Sequence, residues 1–226
     1  MIRHNHLDVS QRFIASNRIS VVHFCALMVM LALLLLTPMS NIAAVEKPAD
    51  VRVLIDVSGS MKQNDPRNLR RPALDLLINL LPEGSRAGVW TFGRYVNMLV
   101  PHAEVDDKWR NKGLAKSGLI NSVALHTNIG LALEKANYDA DPALFPTSLK
   151  YNRSVILLTD GVVDIDSNPS VNQSESDRIR NAILDDYKNA GVAIHTVALS
   201  TNADAELLEL LAEETNGSFA VAELSL

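Results

Sequence analysis

The sequence predicts an α/β protein: a doubly wound, mostly parallel sheet with one antiparallel edge strand and helices on both faces. Three observations predict it. Two nearly continuous aliphatic runs, "VRVLIDV" (Val51 to Val57) and "SVILLTD" (Ser154 to Asp160), have the pattern of strands buried on both faces of a parallel sheet. Strand-like and helix-like segments alternate beyond the first of these runs. The strand-like runs "RAGVWTF" and "YVNMLV" are joined at Gly93 and Arg94, a tight hairpin that sets one of them antiparallel to the rest.

The 226 residues, 47% hydrophobic and 21% charged, allow one domain with a full core plus an extra segment. That segment comes first. "VVHFCALMVMLALLLL" (Val21 to Leu36) is apolar except at His23, with Arg3, Arg12 and Arg18 upstream against the single acid Asp8. Pro38, Ala43 and Ala44 follow. A positive flank, an apolar stretch and a small-residue end make residues 1–44 an export signal. Two readings stay open. The segment is either removed after Ala44, with Ile42 at the minus-three position, or kept as an anchor, since a helix of this run spans roughly 24 Å. In both, the positive flank stays inside and the rest is exported: periplasmic, or anchored in the inner membrane with the domain facing the periplasm. Cys25, the only cysteine, lies within the run. The exported part therefore has no disulfide and depends on its core and any bound ion.

Residues 49–226 are the expected domain. After the first strand, "LRRPALDLLINLLP" reads as a helix burying Leu69, Ala73, Leu76, Leu77 and Leu80, with Pro82 beyond its end. Asp65 and Pro66 read as its N-cap and first-turn proline. Past the hairpin, "VDDKWRNKGLAKSGLINSVAL" is a weak helix interrupted by Gly113 and Gly118. Thr127 or Asn128 caps the helix of "TNIGLALEKA", and "YDADPALFPTSLKYNR" is a connecting loop leading to the strand that ends at Asp160. "GVVDIDSNPSVNQ" is a polar loop in which Asp164 and Asp166 read as solvated. Ser174 then caps a helix with Ile179, Ala182, Ile183 and Tyr187 on one side and Gly191 as its stop. "AIHTVAL" is a strand in which His195 reads as a core histidine. "ADAELLELLAEETNG" is a helix closed by Asn216 and Gly217, and "SFAVAEL" supplies a last strand. A doubly wound domain would add a covering helix there, so this one is expected either to lack its last helix or to end on an edge strand.

Charge excludes one class of partner. Three of the 21 basic and one of the 26 acidic residues precede residue 45, so the domain carries 18 against 25, a formal net of −7. With 5% aromatic residues and no basic patch, nucleic acid is not an expected partner.

The chemistry gathers where an open α/β sheet places its ligands, outside the carboxyl ends of the strands. Asp56 and Asp160 each stand at such an end. Ser58 and Ser60 follow on a loop turned at Gly59, and Thr127 opens a helix from a loop. Carboxylate and hydroxyl oxygens with no thiol and no paired imidazole suit a hard cation, Mg²⁺ with Mn²⁺ as a substitute. The hydroxyls are neutral, so the ion's charge would stay partly uncancelled and attract an acidic group of a partner. His126, beside Thr127, reads as structural.

At these residues the chain resembles the von Willebrand factor type A domain. "DVSGS" at Asp56 to Ser60 is similar to that family's D-x-S-x-S, Thr127 in "HTNIG" to its separate metal-site threonine, and "LLTDG" to its later aspartate, Asp160. The resemblance runs from about Ala49 to the C-terminus and fills all five positions of the family's metal-ion-dependent adhesion site. It implies a Rossmann-like fold and a cation held by Ser58, Ser60 and Thr127, with Asp56 and Asp160 acting directly or through water. It further implies a non-catalytic adhesion or scaffold role, with a Glu or Asp of another protein completing the ion's shell.

The alternative is a Mg²⁺-dependent hydrolase of haloacid-dehalogenase type, which also places an aspartate at the end of its first strand. Such an enzyme needs a second acid two residues on. Here that position is Ser58. Neither a phosphate-binding G-x-x-x-x-G-K-[ST] loop nor a G-x-S-x-G elbow is present.

Overall fold

The computed structural model describes residues 47–160, 162–200 and 203–222. The first strand, β1 (Ala49–Asp56), is followed by a short helix α1 (Met61–Asn64), helix α2 (Arg70–Leu80), and the strands β2 (Arg86–Phe92) and β3 (Val96–Glu104). Helices α3 (Asp107–Ser117) and α4 (Ile129–Ala136) lead through a 3₁₀ turn at Pro146–Lys150 into β4 (Asn152–Thr159). Helix α5 (Pro169–Arg178) runs through a π turn (Ile179–Ile183) into α6 (Leu184–Ala190), and β5 (Ala193–Ala198), α7 (Ala205–Glu214) and β6 (Phe219–Val221) complete the order.

The six strands form one sheet in the order β3-β2-β1-β4-β5-β6. All neighbours are parallel except β2 and β3, so the predicted antiparallel strand is the β3 edge. The chain places β2 and β3 on one side of β1 and then crosses to β4 on the other. This reversal opens a crevice at the carboxyl ends of β1 and β4.

Each face of the sheet has its own core. Leu54, Phe92, Leu157 and Ile194 meet Leu133 of α4, Ile183 of the π turn, Tyr187 of α6 and Leu207 of α7 on one face. Val53, Ile55 and Val89 meet Leu74 and Ile78 of α2 and Trp109 of α3 on the other. Because β1 is central and covered on both faces, its residues are buried almost without alternation.

Several local expectations change. Helix α2 buries Arg70, Leu74 and Ile78, while Leu76 and Leu80 are exposed. The buried stripe is rotated by one residue, about 100°, because leucines surround this helix and their spacing alone does not select a face. Gly113 does not interrupt α3: a Cβ there would stand 2.8 Å from Ile78 Cδ1, so the missing side chain lets α3 lie against α2. The third crossover helix starts at Pro169, capped by the Asn168 side chain accepting from Ser170 N–H, and Ser174 lies inside it. Asp65 is not adjacent to α2, yet its carboxylate accepts from the amides of Leu69 and Arg70. His195 is half-buried and paired with Ser218 Oγ at 2.9 Å, so it is not a core residue. Asn128 is the cap of α4, accepting from Leu131 N–H, which leaves Thr127 outside the helix. The apolar run Val21 to Leu36 and any closing helix past residue 222 lie outside the described residues. Among those described, no helix is long and apolar enough to cross a membrane.

At the amino end of β1 a buried ion cluster joins sheet to helices. The Arg52 guanidinium donates to both oxygens of Asp50 at 3.3 and 2.9 Å and to both of Asp139 at 2.6 and 3.0 Å. His102 Nε2 lies 2.7 Å from Asp50 Oδ1, and its Nδ1 lies 2.8 Å from the Tyr138 hydroxyl. Burial pushes the Asp50 carboxyl up, but the hydrogen bonds from His102 and Arg52 and their charges outweigh it and hold it at about 2.

Removing one partner of such a cluster strands the others without solvent. Arg52→Met is expected to cost about 3–5 kcal/mol and to lower Tm by on the order of 10 °C, measured by thermal unfolding. A shift of a degree or less would show that the cluster is not holding α4 to the sheet.

Candidate metal centre

The crevice is built from the end of β1 outward. Ile55 pairs with Leu158, so the next register position sets Asp56 beside Thr159. Asp56 is fully buried. Its Oδ2 accepts from Thr159 Oγ1 at 2.7 Å and its Oδ1 from the Ser58 amide at 2.8 Å. That second bond curls the chain after β1 into a turn and brings the Ser58 and Ser60 hydroxyls to 2.9 Å from one another. Ser60 Oγ in turn donates to Asp160 Oδ1 at 3.0 Å, and Asn64 on α1 donates to Asp160 Oδ2 at 2.9 Å. Four of the five residues singled out from the sequence thus form one hydrogen-bonded set, Asp56 joining it through the Ser58 amide.

Thr127 arrives on a separate loop. Ala124 N–H donates to Val57 C=O at 3.0 Å, which fixes the loop alongside Ser58. Through residues 122–125 inward and outward positions alternate, and continued alternation would turn residue 127 outward. Instead His126 adopts φ of +61°, the left-handed region, and Thr127 turns in to 4% exposure. Backbone bonds with Asp164 in both directions, 2.7 and 3.1 Å, hold it there. Gly93 permits this approach, because a Cβ at that position would collide with Ala124 Cβ.

Three supporting residues carry no sequence signal of their own. Thr159 and Asn64 orient the two carboxylates. Arg70 is 2% exposed and donates to the Asp56 carbonyl, to Asp65 Oδ2 at 2.8 Å and to Ser122 Oγ at 2.8 Å, tying β1 to the Thr127 loop. An arginine near a helix start ordinarily reads as solvated, and only its three partners from separate segments reveal this role. Asp164, read as solvated, has a half-exposed side chain 3.5 Å from His126 Nδ1.

Burial is the largest influence on Asp56 and pushes its carboxyl up. The hydrogen bonds from Ser58 and Thr159 pull it down, the nearby Asp160 charge pushes it up again, and the balance is about 6. The donor set is oxygen only: two carboxylates and three hydroxyls, four of them nearly excluded from water. No cationic side chain is paired with either carboxylate among the described residues. This chemistry fits a hard divalent cation. A second acidic group, Asp50, His102 and Asp139, has its ligand atoms within 4.8 Å of one another, but the Arg52 guanidinium already bonds both of its carboxylates.

Comparison with known proteins follows the same lines. The family model described as von Willebrand factor type A domain matches residues 50–225. No curated protein matches the chain. Among solved structures, the von Willebrand factor type A protein from Catenulispora acidiphila is similar at a TM-score of 0.63 and 17% identity, covering 78% of this chain and 39% of that one. Proximal thread matrix protein 1 from the mussel byssus, described with a zinc-occupied MIDAS motif, is similar at a TM-score of 0.54 and 21% identity, covering 77% and 44%. An aerotolerance-related membrane protein from Bacteroides fragilis is similar at a TM-score of 0.53 and 15% identity, covering 78% and 92%. The chain spans less than half of the first two of these, and at such identities the likeness is one of fold.

The raised Asp56 carboxyl fixes the sign of a pH effect. The folded protein holds this proton more tightly than the unfolded chain, whose carboxyl titrates at 3.8, so the group's stabilising contribution is complete below that pH and lost as pH rises through about 6. Without divalent ions, this group is expected to cost on the order of 3 kcal/mol between about pH 4 and 7. Urea unfolding across that range measures it. Asp56→Asn keeps the turn and should flatten the slope; an unchanged slope in that variant would contradict the assignment.

Proposed function

The chain belongs to the von Willebrand factor type A domain family, and we propose that it is a non-catalytic, divalent-cation-dependent protein-binding domain working outside the cytoplasm. The observation that carries this reading is the linked set of oxygens from Ser58 through Ser60 to Asp160, with buried Asp56 beside it. Ser58, Ser60 and Thr127 would hold the ion, and Asp56 and Asp160 would contribute directly or through water. Mg²⁺ is the proposed ion, with Mn²⁺ as a substitute.

When bound, the ion supplies positive charge with a position open to a further anionic oxygen. The hydroxyls of Ser58, Ser60 and Thr127 are neutral and cancel none of that charge, so an ion that meets Asp56 and Asp160 through water stays attractive to an anion, and the proposed source of the further oxygen is a Glu or Asp of a partner protein. Asn64 and Thr159 keep both carboxylates of the chain oriented, so the partner's acid would meet a preformed site. An adhesive rather than hydrolytic role is supported by Ser58 itself, which stands where a haloacid-dehalogenase-type hydrolase needs its second acid. The export segment at residues 1–44 belongs to this proposal, and the Bacteroides membrane protein of similar fold lends it support.

Calorimetric titration of the full chain in detergent with MgCl₂ and MnCl₂ tests the reading. Binding is expected in the wild type and absent in Asp56→Ala. At a hundredfold excess over Kd the ion should add about 2.7 kcal/mol, raising Tm by on the order of 5 °C in the wild type alone. No heat and no Tm shift in the wild type would contradict it. Mg²⁺-dependent hydrolysis of p-nitrophenyl phosphate that is lost in Asp56→Ala would favour the hydrolase.

A further inference from the structure

Around the same crevice stand apolar side chains that neither core uses. Val123 is 69% exposed, Leu125 67%, Tyr95 70% and Val162 52%. Their places follow from bonds already described. Val123 and Leu125 flank Ala124, which pairs with Ser58, while Tyr95 sits in the β2–β3 hairpin beside Gly93 and Val162 lies two residues beyond Asp160. We propose that this rim receives an extended segment of a partner protein, in which the acidic residue that reaches the metal is flanked by apolar residues. The proposal rests on the metal-site reading above and names the chemistry of its partner.

Three observations specify the segment. The stretch at 122–125 alternates, with Ser122 and Ala124 turned in and Val123 and Leu125 turned out. Outward positions of such a stretch are ordinarily polar. Here they are a valine and a leucine about 7 Å apart, the spacing at which an extended chain presents every second side chain. The main chain of the stretch is also paired with the sheet on one side only. Ala124 N–H is taken by Val57 and Val123 N–H by the Asn121 side chain at 3.3 Å, whereas the Leu125 N–H and Val123 C=O have no backbone partner among the described residues. An unpaired strand edge accepts an added strand through main-chain bonds and leaves side-chain pockets to select its sequence. Charge supplies the third observation. Lys62 is exposed on α1 two residues after Ser60, and the Arg94 guanidinium lies 5.9 Å from the Tyr95 ring. Both favour an acidic segment over a basic one.

The test uses the full chain in detergent and two synthetic peptides, GLTETLG and GSTETSG, which share the acid and differ in the residues two positions to either side. With Mn²⁺ present, the leucine peptide is expected to bind about tenfold more tightly than the serine peptide, and chelation should abolish binding of both. The double substitution Val123→Ser with Leu125→Ser should remove the difference while leaving Mn²⁺ affinity unchanged. Equal affinity for the two peptides, or binding of neither by a chain that binds Mn²⁺, would overturn the rim proposal and leave the metal site standing. Failure to bind Mn²⁺ at all would overturn both.

Discussion

Two carboxylates at the carboxyl ends of adjacent parallel strands, one of them with no exposure to water, form the constraint around which this domain is arranged. Burial of Asp56 raises the cost of its charge, and the proximity of Asp160 raises it further. What surrounds the pair is a set of neutral donors: the Ser58 amide, the hydroxyls of Ser60 and Thr159 and the Asn64 amide group. These orient the carboxylates without cancelling their charge. Arg70 comes near but donates to the Asp56 main-chain carbonyl and spends its charge on Asp65. The turn after β1, the cap-like role of Asp65 and the inward kink at His126 all serve the same small volume.

The other end of β1 offers a comparison within one strand. Asp50 is as deeply buried as Asp56, yet its carboxyl is held low where that of Asp56 is held high. The difference lies in the partner. Arg52 brings a cationic hydrogen-bond donor to Asp50, His102 places its Nε2 within hydrogen-bond distance of it, and Asp139 completes a closed cluster between sheet and α4. That end is self-sufficient and structural. The crevice end has two acids, no paired cation among the described residues and an opening at the sheet's switch point, and this asymmetry is the physical case for an external ion. It also sets a trade-off at this one group: loss of the Asp56 proton readies the crevice for a cation and withdraws that group's stabilising contribution from the ion-free domain.

Much of this was legible in the sequence, and the parts that were not have physical reasons. The strands of the central sheet declare themselves because burial on both faces demands uninterrupted aliphatic runs, and the hairpin at Gly93 because so short a link permits no crossover. Asp56, Ser58, Ser60 and Asp160 were legible as strand-end oxygens, and their linkage required only that β1 and β4 be neighbours. Thr127 was separable from the helix cap only once Asn128 was seen to fill that role. The buried face of α2 was not legible, since leucines on several sides make its periodicity ambiguous and the choice is made by α3 approaching over Gly113. Arg70, Thr159 and Asn64 were invisible for a different reason. Each acts through partners in segments far along the chain, and no local pattern marks an arginine that will be buried.

The central claim is that the oxygens of the crevice, and not the closed cluster at the other end of β1, hold a divalent ion. Anomalous diffraction from crystals grown with MnCl₂ tests it most directly. The account expects a single strong peak within bonding distance, about 2.2 Å, of the Ser58 and Ser60 hydroxyl oxygens. A peak beside Asp50, His102 and Asp139, or none in the crevice at saturating Mn²⁺, would contradict it.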